Sequence, residues 1–334
     1  MFAPLLLALF AAAPPGTGTD ARLVHGMTIS CQTWGWEWGS DGFARELDTL
    51  HALGVNWVAI HPYARIRADG RVEARSLEGG AAPEWITRPI REAHERGMSI
   101  LVIPHIAYWG SPWSWRGAIE FAREEERARF FASYGEFLLR VARAAQGADG
   151  FSIGNELDRL IVHEGEWRRI IAALREVTQA KLTYASNWSD YQHVPFWDAL
   201  DAIGVEAYFP LSEAPDPDEA ALEASWRERI AELRALHERV GKPVVFTELG
   251  YTISAEAASK PWADGHVRGA PAREAAEKLQ QRCLGVALRV IEPERDWLRG
   301  AFLWKWFVGE SRGESFRMQS ETMRAVIGRA WGAR

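Results

Sequence analysis

The chain has 334 residues, 47% of them hydrophobic and 25% charged, which is enough apolar material for a large buried core. Its formal net charge is −6 and its pI is near 5.9. Because acidic residues outnumber scattered basic ones, the charge argues against nucleic acid or another polyanion as a partner. The length alone permits one large domain or two ordinary ones.

The N-terminus predicts a secretion signal. Residues 5–13 are an apolar run that ends in small residues before Pro14 and Pro15, although the usual positive charge at the start is missing. The run is too short to span a bilayer, and no later segment is long and apolar enough to do so. We therefore predict a leader over residues 1–20, a folded domain over 21–334, and a secreted or periplasmic protein without membrane attachment after leader removal.

After residue 22, short β-rich apolar runs alternate with longer amphipathic stretches. The predicted strands are residues 26–31, 55–61, 99–105, 150–154, 181–186, 202–206, 243–248 and 300–304. The predicted helices are residues 42–53, 83–96, 118–145, 164–179, 194–200, 219–240, 272–291 and 320–331. Gly54, Gly97 and Gly241 lie where three of these helices would end in a left-handed cap.

Eight strand–helix units predict an α/β protein with a single (β/α)₈ TIM barrel. A doubly wound open sheet is the alternative, but no glycine-rich phosphate-binding motif opens a helix. Residues 212–218 and 254–271 are expected to be long loops on one rim. No Cys/His spacing resembles a zinc site, so we expect no metal or cofactor, and the pairing of Cys31 with Cys283 stays open.

In a TIM barrel, the carboxyl ends of the strands form the active face. Residues with polar or aromatic side chains follow every predicted strand: Trp34 and Trp36, Tyr63 and Arg65, His105, Tyr108 and Trp109, Asn155 and Glu156, Asn187 and Trp188, Glu206 and Tyr208, Glu248 and Tyr251, and Trp304, Lys305 and Trp306. Most of the 17 tryptophans are expected in the core, while several at this rim favour a groove for flat sugar rings.

Two glutamates, Glu156 and Glu248, follow apolar strands without an adjacent Lys or Arg in sequence. Each alone is equally compatible with a rim salt bridge or a helix cap. Together they follow the fourth and seventh strands, which lie on roughly opposite sides of the barrel mouth. Glycosidic cleavage uses such a pair, with retention of configuration at a carboxyl separation of about 5 Å and inversion at about 6.5–9.5 Å. The sequence leaves the two outcomes open.

Four segments, in this order, resemble glycoside hydrolase family 113, whose characterised activity is chiefly endo-β-1,4-mannanase. They are Asn155-Glu156, the stretch 203–210 (IGVEAYFP), the stretch 246–251 (FTELGY) with Trp262 downstream, and the stretch 302–307 (FLWKWF). The resemblance covers residues 26–306. It implies a retaining (β/α)₈ glycosidase acting on a β-linked oligo- or polysaccharide, which we expect to be a monomer.

The resemblance also implies residue roles. Glu156 would be the acid/base and Glu248 the nucleophile, Asn155 would donate to the sugar 2-hydroxyl, Tyr208 and Arg65 would hold the nucleophile ionised, and Trp304 would form the floor under the sugar ring. Arg65 is equally compatible with a rim ion pair and Tyr208 with core packing. Lys305 would point outward or reach sugar hydroxyls, since alternation predicts Trp304 and Trp306 on the opposite face.

Further substrate-binding candidates are Trp34, Trp36, His105, Trp109, Trp113, Trp115, Trp188, Glu206, Tyr251 and Trp262. A lone histidine such as His105 is as often structural. Two other functions remain as alternatives: a carbohydrate-binding barrel without catalysis, and a metal-dependent hydrolase using His25, His61 or His105. The sequence does not distinguish mannose from glucose, or endo from exo action.

Overall fold

The computed structural model of the protein describes residues 23–77, 79–263, 267–310 and 315–332. The predicted leader, residues 1–20, lies outside these ranges. None of the helices within them is long and apolar enough to cross a membrane.

Eight parallel strands form a closed barrel in which each strand pairs with its neighbours in chain order, and the last pairs with the first. They are β1 (Val24–Ser30), β2 (Trp57–Ile60), β3 (Ser99–Val102), β4 (Gly150–Asn155), β5 (Lys181–Asn187), β6 (Ile203–Glu206), β7 (Val244–Leu249) and β8 (Leu298–Phe307). This confirms the predicted (β/α)₈ barrel and excludes the open sheet.

Helices pack around the outside of the barrel. They are α1 (Asp41–Ala52), α2 (Glu84–Glu95), α3 (Glu124–Ala144), α4 (Glu164–Arg175), α5 (Glu219–Val240), α6 (Ala270–Ile291) and α7 (Glu321–Trp331). The Asp218 side chain caps α5 by accepting from the Ala221 N–H, and Gly241 ends that helix at φ 73°. The glycine caps predicted at Gly54 and Gly97 also have positive φ.

The predicted helix 194–200 is wrong. Two short 3₁₀ turns, Tyr191–His193 and Trp197–Ala199, take its place between β5 and β6. Pro195 disfavours helical backbone at Val194, which is extended (φ −69°, ψ 116°). The Trp197 indole N–H donates to the Tyr191 carbonyl and holds the two turns together.

The predicted third strand ends early, at Val102. Beyond Pro104 the chain forms a separate strand, His105–Ala107, which pairs with the strand Tyr63–Ile66. The strand Tyr63–Ile66 also pairs, on its other edge, with Val72–Glu73. Because proline lacks an N–H, Pro62 and Pro104 interrupt the barrel strands at equivalent depths. The resulting three-stranded sheet extends the barrel rim and carries several of the predicted site residues.

The core lies inside the barrel and between barrel and helices. Trp38, Trp167, Trp226 and Trp306 are fully buried there, as expected for most of the tryptophans. Cys31 and Cys283 are both free thiols. The two predicted rim loops meet where the Ser212 N–H donates to the Ala258 carbonyl at 3.2 Å.

Candidate active site

A cleft of about 1340 Å³ opens at the carboxyl ends of the strands. Both Glu156 and Glu248 line it. The other lining residues that matter for the chemistry are Tyr108, Trp115, Arg116, Asp158, Asn187, Trp188, Tyr208, Trp262, Trp304 and Phe316. The two carboxyl groups that the sequence places on separate strands thus face one space.

Glu156 lies immediately after β4, at the turn out of the strand. Its backbone N–H donates to the Ala185 carbonyl of β5, and its φ is 48°, a conformation that non-glycine residues rarely adopt. Residues in rarely adopted backbone conformations persist only where the surrounding structure holds them in place, and they are concentrated at active sites. The carboxyl group of Glu156 is therefore presented to the cleft by a defined turn.

Glu248 lies within β7 and is almost completely buried. The Tyr208 hydroxyl donates to its Oε2 at 2.6 Å. Burial, and then the charge of Glu156, raise the pKa of Glu248, while the Tyr208 hydrogen bond and the charges of Arg116 and Lys305 oppose this rise. These three donors and cations favour the ionised form that a nucleophile needs.

The arginine that contacts Glu156 in the catalytic cleft is Arg116, which sequence reasoning missed. Its Nη1 donates to Glu156 Oε2 at 3.1 Å and also to Asn155 Oδ1. Arg116 belongs to a 3₁₀ turn (Arg116–Ala118) in the loop between the third strand and α3, and its side chain is only 13% exposed. Because this loop lies well beyond the strand end, no rule about strand termini points to it.

Arg65, expected beside Glu248, lies elsewhere. Its guanidinium carbon is 5.5 Å from the centre of the Trp34 ring, and its Nη1 donates to the Trp109 carbonyl at 3.3 Å. The strand Tyr63–Ile66 belongs to the rim sheet, outside the barrel, so its side chains are displaced from the barrel mouth. The expectation that Arg65 lies beside Glu248 is therefore wrong; Arg116 is the arginine whose charge lowers the pKa of Glu248.

Glu206, predicted to bind substrate, is fully buried beneath the cleft and does not line it. The Asn155 side-chain N–H donates to Glu206 Oε1. Burial, and then the charges of Glu156 and Glu248, raise the pKa of Glu206 well above the usual range for glutamate. The surroundings of Glu206 therefore favour its neutral form over its ionised form.

Asn155 links these groups. It is 2% exposed, donates to Glu206 and accepts from Arg116, which in turn donates to Glu156. Its orientation is thus set from both sides, and its predicted contact with a sugar hydroxyl stays a prediction.

Trp304 lines the cleft, as expected of a floor under a sugar ring. A cis peptide bond joins it to Lys305, whose ammonium lies 5.2 Å from the centres of both the Trp304 and Phe307 rings. Trp306 is fully buried, and its indole donates to Glu46 of α1 at 2.8 Å.

The expectation that Trp304 and Trp306 share a face is therefore wrong. Side chains alternate strictly between the two faces of a strand only where its pairing is regular. Between the pairs Met27–Leu303 and Ile29–Trp306, β8 contains one residue more than β1, which is a β-bulge. The extra residue places Trp306 on the side of the strand that faces the helices. The charge of Lys305 lowers the pKa of Glu248 and of His61, so Lys305 lies on the side of the active-site cleft.

His105 does not line the cleft, so its predicted role as a sugar ligand is corrected. Its buried ring stacks on that of His61 at 4.8 Å, and His61 lies 5.5 Å from Trp304. Burial lowers the pKa of His61 to about 3 and that of His105 well below its usual value. Two neutral imidazoles therefore support Trp304 from below.

Tyr251 is also misassigned to the substrate. It is fully buried, and its hydroxyl accepts a hydrogen bond from the Trp226 indole of α5 at 3.2 Å. The chain leaves β7 after Leu249, so Tyr251 turns away from the mouth into the helix layer. Trp113 likewise packs against Phe121 at 5.5 Å.

Trp188 and Trp262 form a stacked pair at the rim of the cleft. Their ring centres are 5.3 Å apart, with an angle of 22° between the planes, and Trp262 is substantially exposed. Trp115 is a further exposed aromatic in the same cleft. These three remain candidates for stacking on sugar rings.

Asp158 and Phe316 were not singled out from the sequence. Burial, and then the charges of Asp190 and Glu156, raise the pKa of Asp158 to about 7. Phe316 packs edge-on against Tyr208, with ring centres 6.1 Å apart. Asp158 lies two residues beyond Glu156, a spacing that could have drawn attention to it.

A second cleft of about 540 Å³ lies at the rim sheet, and we call it the side cleft. Its lining residues are Trp34, Trp36, Tyr63, Arg65, Arg67, Glu73, Arg75 and Ser76. Three predicted site residues therefore gather here instead of beside the glutamates. Within the described ranges, no group of three His, Cys, Asp or Glu side chains is placed to hold a metal ion.

Residues 27–320 match the family model of Glycoside Hydrolase Family 113. Among solved structures, a GH113 β-mannanase from Alicyclobacillus acidocaldarius, determined in complex with ManMIm, is 25% identical with a TM-score of 0.78, covering 93% of this chain and 98% of that one. A GH113 β-1,4-mannanase complex is 19% identical with a TM-score of 0.77, covering 94% and 100%.

The barrel also superposes on a β-glucuronidase from Ruminococcus gnavus, at 13% identity and a TM-score of 0.61, over 93% of this chain and 50% of that one. At this identity the likeness extends to the fold alone. No curated protein matches the sequence.

Proposed function

Because the chain belongs to glycoside hydrolase family 113, we propose that it hydrolyses β-1,4-linked mannan with retention of configuration. The observation that carries the proposal is the shared cleft, which Glu156, Glu248 and Trp304 all line. The names of the two GH113 mannanases support mannan as the first substrate to test.

In the first step, a carboxylate oxygen of Glu248 bonds to the anomeric carbon while the bond from that carbon to the leaving oxygen breaks. The proton of Glu156 passes to the leaving oxygen. The Tyr208 hydroxyl, at 2.6 Å from Glu248, orients the attacking carboxylate and opposes the rise in its pKa that burial causes. Arg116 stabilises the carboxylate that Glu156 becomes.

In the second step, water adds to the anomeric carbon, the ester bond to Glu248 breaks, and Glu156 takes the proton of the water. Two inversions at one carbon give net retention. Glu206, whose raised pKa favours the neutral form, contributes by holding Asn155 in place.

The test uses Glu156→Ala and Glu248→Ala on a panel of β-linked mannan, glucan and galactan. Each substitution is expected to lower kcat by at least about 10³-fold, within the range that acid–base and nucleophilic groups contribute. Azide should rescue Glu248→Ala and yield a glycosyl azide of inverted configuration, identified by NMR. Full activity in either variant would exclude the mechanism, and binding of mannan without products by the unaltered protein would favour a non-catalytic barrel.

A further inference from the structure

The side cleft differs in charge from the catalytic cleft. Three arginines and one glutamate line it: Arg65, Arg67, Arg75 and Glu73. The charged residues of the catalytic cleft are mostly acidic, with Glu120, Glu156, Asp158, Asp190 and Glu248 against Arg116 and Arg159. A ligand that spans both clefts therefore meets opposite electrostatic environments at its two ends.

Two of the arginines, Arg65 and Arg67, project from one face of the rim sheet. Side chains two residues apart lie on the same side of a strand, so residues 63, 65 and 67 share one side of the strand Tyr63–Ile66 and its extension. Glu73 is paired opposite Arg65 on the neighbouring strand. Glu73 is engaged by Arg67, whose Nε and Nη2 donate to its Oε2 at 2.8 and 2.7 Å. The single carboxylate of the cleft is thus already used.

Two guanidinium groups remain for a ligand. Arg75 is 76% exposed and lies 3.7 Å from the oxygen of Glu73 that Arg67 holds. Within the described ranges Arg65 forms no ion pair; its guanidinium lies over Trp34 and donates to the Trp109 carbonyl. Guanidinium forks bind carboxylates in two-point contacts, and the flat faces of Trp and Tyr accept sugar rings.

The two clefts adjoin through aromatic rings. Tyr63 of the side cleft lies 5.6 Å from Trp109, and Trp109 lies 5.7 Å from Tyr108 of the catalytic cleft. Beneath them, Tyr63 contacts His61, which contacts Trp304. The side cleft therefore lies next to the catalytic cleft, at one end of the path that a sugar chain bound in both clefts would follow.

We propose that the side cleft binds a sugar unit bearing a carboxylate, on the non-reducing side of the bond that is cleaved. This rests on the proposed glycosidase function and specifies its substrate as an acidic β-linked glycan. Trp34, Trp36 and Tyr63 take the ring, and Arg65 and Arg75 take the carboxylate. A sulfate ester on the same unit offers the guanidinium groups a similar anion, so the experiment compares the two.

The probes are β-1,4-mannotetraose and two derivatives, one with the C6 of its non-reducing terminal unit oxidised to a carboxylate and one with a sulfate on that C6. The quantity measured is the ratio of kcat/KM for each anionic tetraose to that for the neutral one. We expect a ratio on the order of tenfold for the carboxylate, the factor that 1.4 kcal/mol represents. A larger ratio for the sulfate would identify a sulfated glycan as the ligand.

Arg65→Gln should bring the ratio close to one. The matched control is Arg71→Gln, which removes the same charge from the hairpin tip beside the cleft, where Arg71 pairs with Asp69 at 3.3 Å. The control should keep the ratio of the unaltered protein. A ratio near one in the unaltered protein, or an equal loss in both variants, would overturn the proposal.

A separate measurement makes this result independent of catalysis. Calorimetric titration of the three tetraoses into Glu248→Ala reports the same preference as a ratio of Kd values. If no tetraose is cleaved by the unaltered protein but the anionic forms bind more tightly, the glycosidase proposal fails and the binding site stands. If cleavage occurs without any preference in either assay, only the acidic-sugar site is excluded.

Discussion

The catalytic cleft and the side cleft contain the same kinds of groups, aromatic rings and Arg–Glu pairs, but they differ in burial. Arg116 is 13% exposed and contacts Glu156 over the nearly buried Glu248. Arg67, in contact with Glu73, is 41% exposed, and Arg75 is 76% exposed. Charge interactions are strong where water is excluded and weak where it screens them. The first cleft is therefore built for chemistry and the second for recognition.

The largest effect is expected for Arg116→Gln. Arg116 donates to the Glu156 carboxyl group, and a hydrogen bond to a charged group contributes about 1.5–3 kcal/mol, so kcat/KM should fall by about 10- to 100-fold. Arg159→Gln is the matched control, because Arg159 is an exposed arginine lining the same cleft. Equal kcat/KM values for the two variants would contradict the importance that we assign to burial.

Tyr208→Phe tests the hydrogen bond to Glu248. The hydroxyl donates to the carboxylate, which lowers the pKa of Glu248, so its removal raises that pKa further. The acidic limb of the pH profile of kcat/KM should move to higher pH by about one to two pH units, since a hydrogen bond to a charged group contributes about 1.5–3 kcal/mol. Activity should fall most below neutral pH and recover partly in alkali.

A shift of the acidic limb to lower pH, or a uniform loss of activity at every pH, would show that Tyr208 acts on the protein's packing instead. Circular dichroism of the variant across the same pH range controls for unfolding. Arg67→Gln should leave this pH profile unmoved, because the side cleft does not contact Glu248.

The smallest effect is expected for the stability of Arg67→Gln. The Arg67–Glu73 pair is partly exposed, so its loss should lower the free energy of unfolding by less than about 1 kcal/mol, measured by urea denaturation. Arg116→Gln, measured in parallel, should lose more. If Arg67→Gln were the more destabilised variant, the contrast between a buried and a screened cleft would be refuted.

The sequence predicted those features that depend on local pattern. All eight barrel strands were placed, and the helix Glu219–Val240 was predicted with its observed ends, because hydrophobic periodicity and terminal Gly or Asp residues report local backbone preference. The glutamates after the fourth and seventh strands were found by the rule that strand ends converge. Both line the cleft.

The failures occurred where the backbone leaves its regular pattern. Pro62 and Pro104 divert the second and third strands into the rim sheet, which carries Arg65 away from Glu248 and turns His105 inward. An extra residue in β8 separates Trp304 from Trp306. Each deviation is small in sequence but reverses the side on which a side chain lies.

By itself, the sequence determined the barrel, its order of strands and the place of Glu156 and Glu248 at one end of it, because these follow from periodicity and from position along the chain. Only the tertiary structure decided which cationic side chain lies beside them. Arg116 is 40 residues from Glu156 and lies in a loop without a local signature, so the contact arises from folding alone. Likewise, the raised pKa of Glu206 depends on burial, and the different charges of the two clefts depend on which residues line each of them, neither of which a sequence pattern encodes.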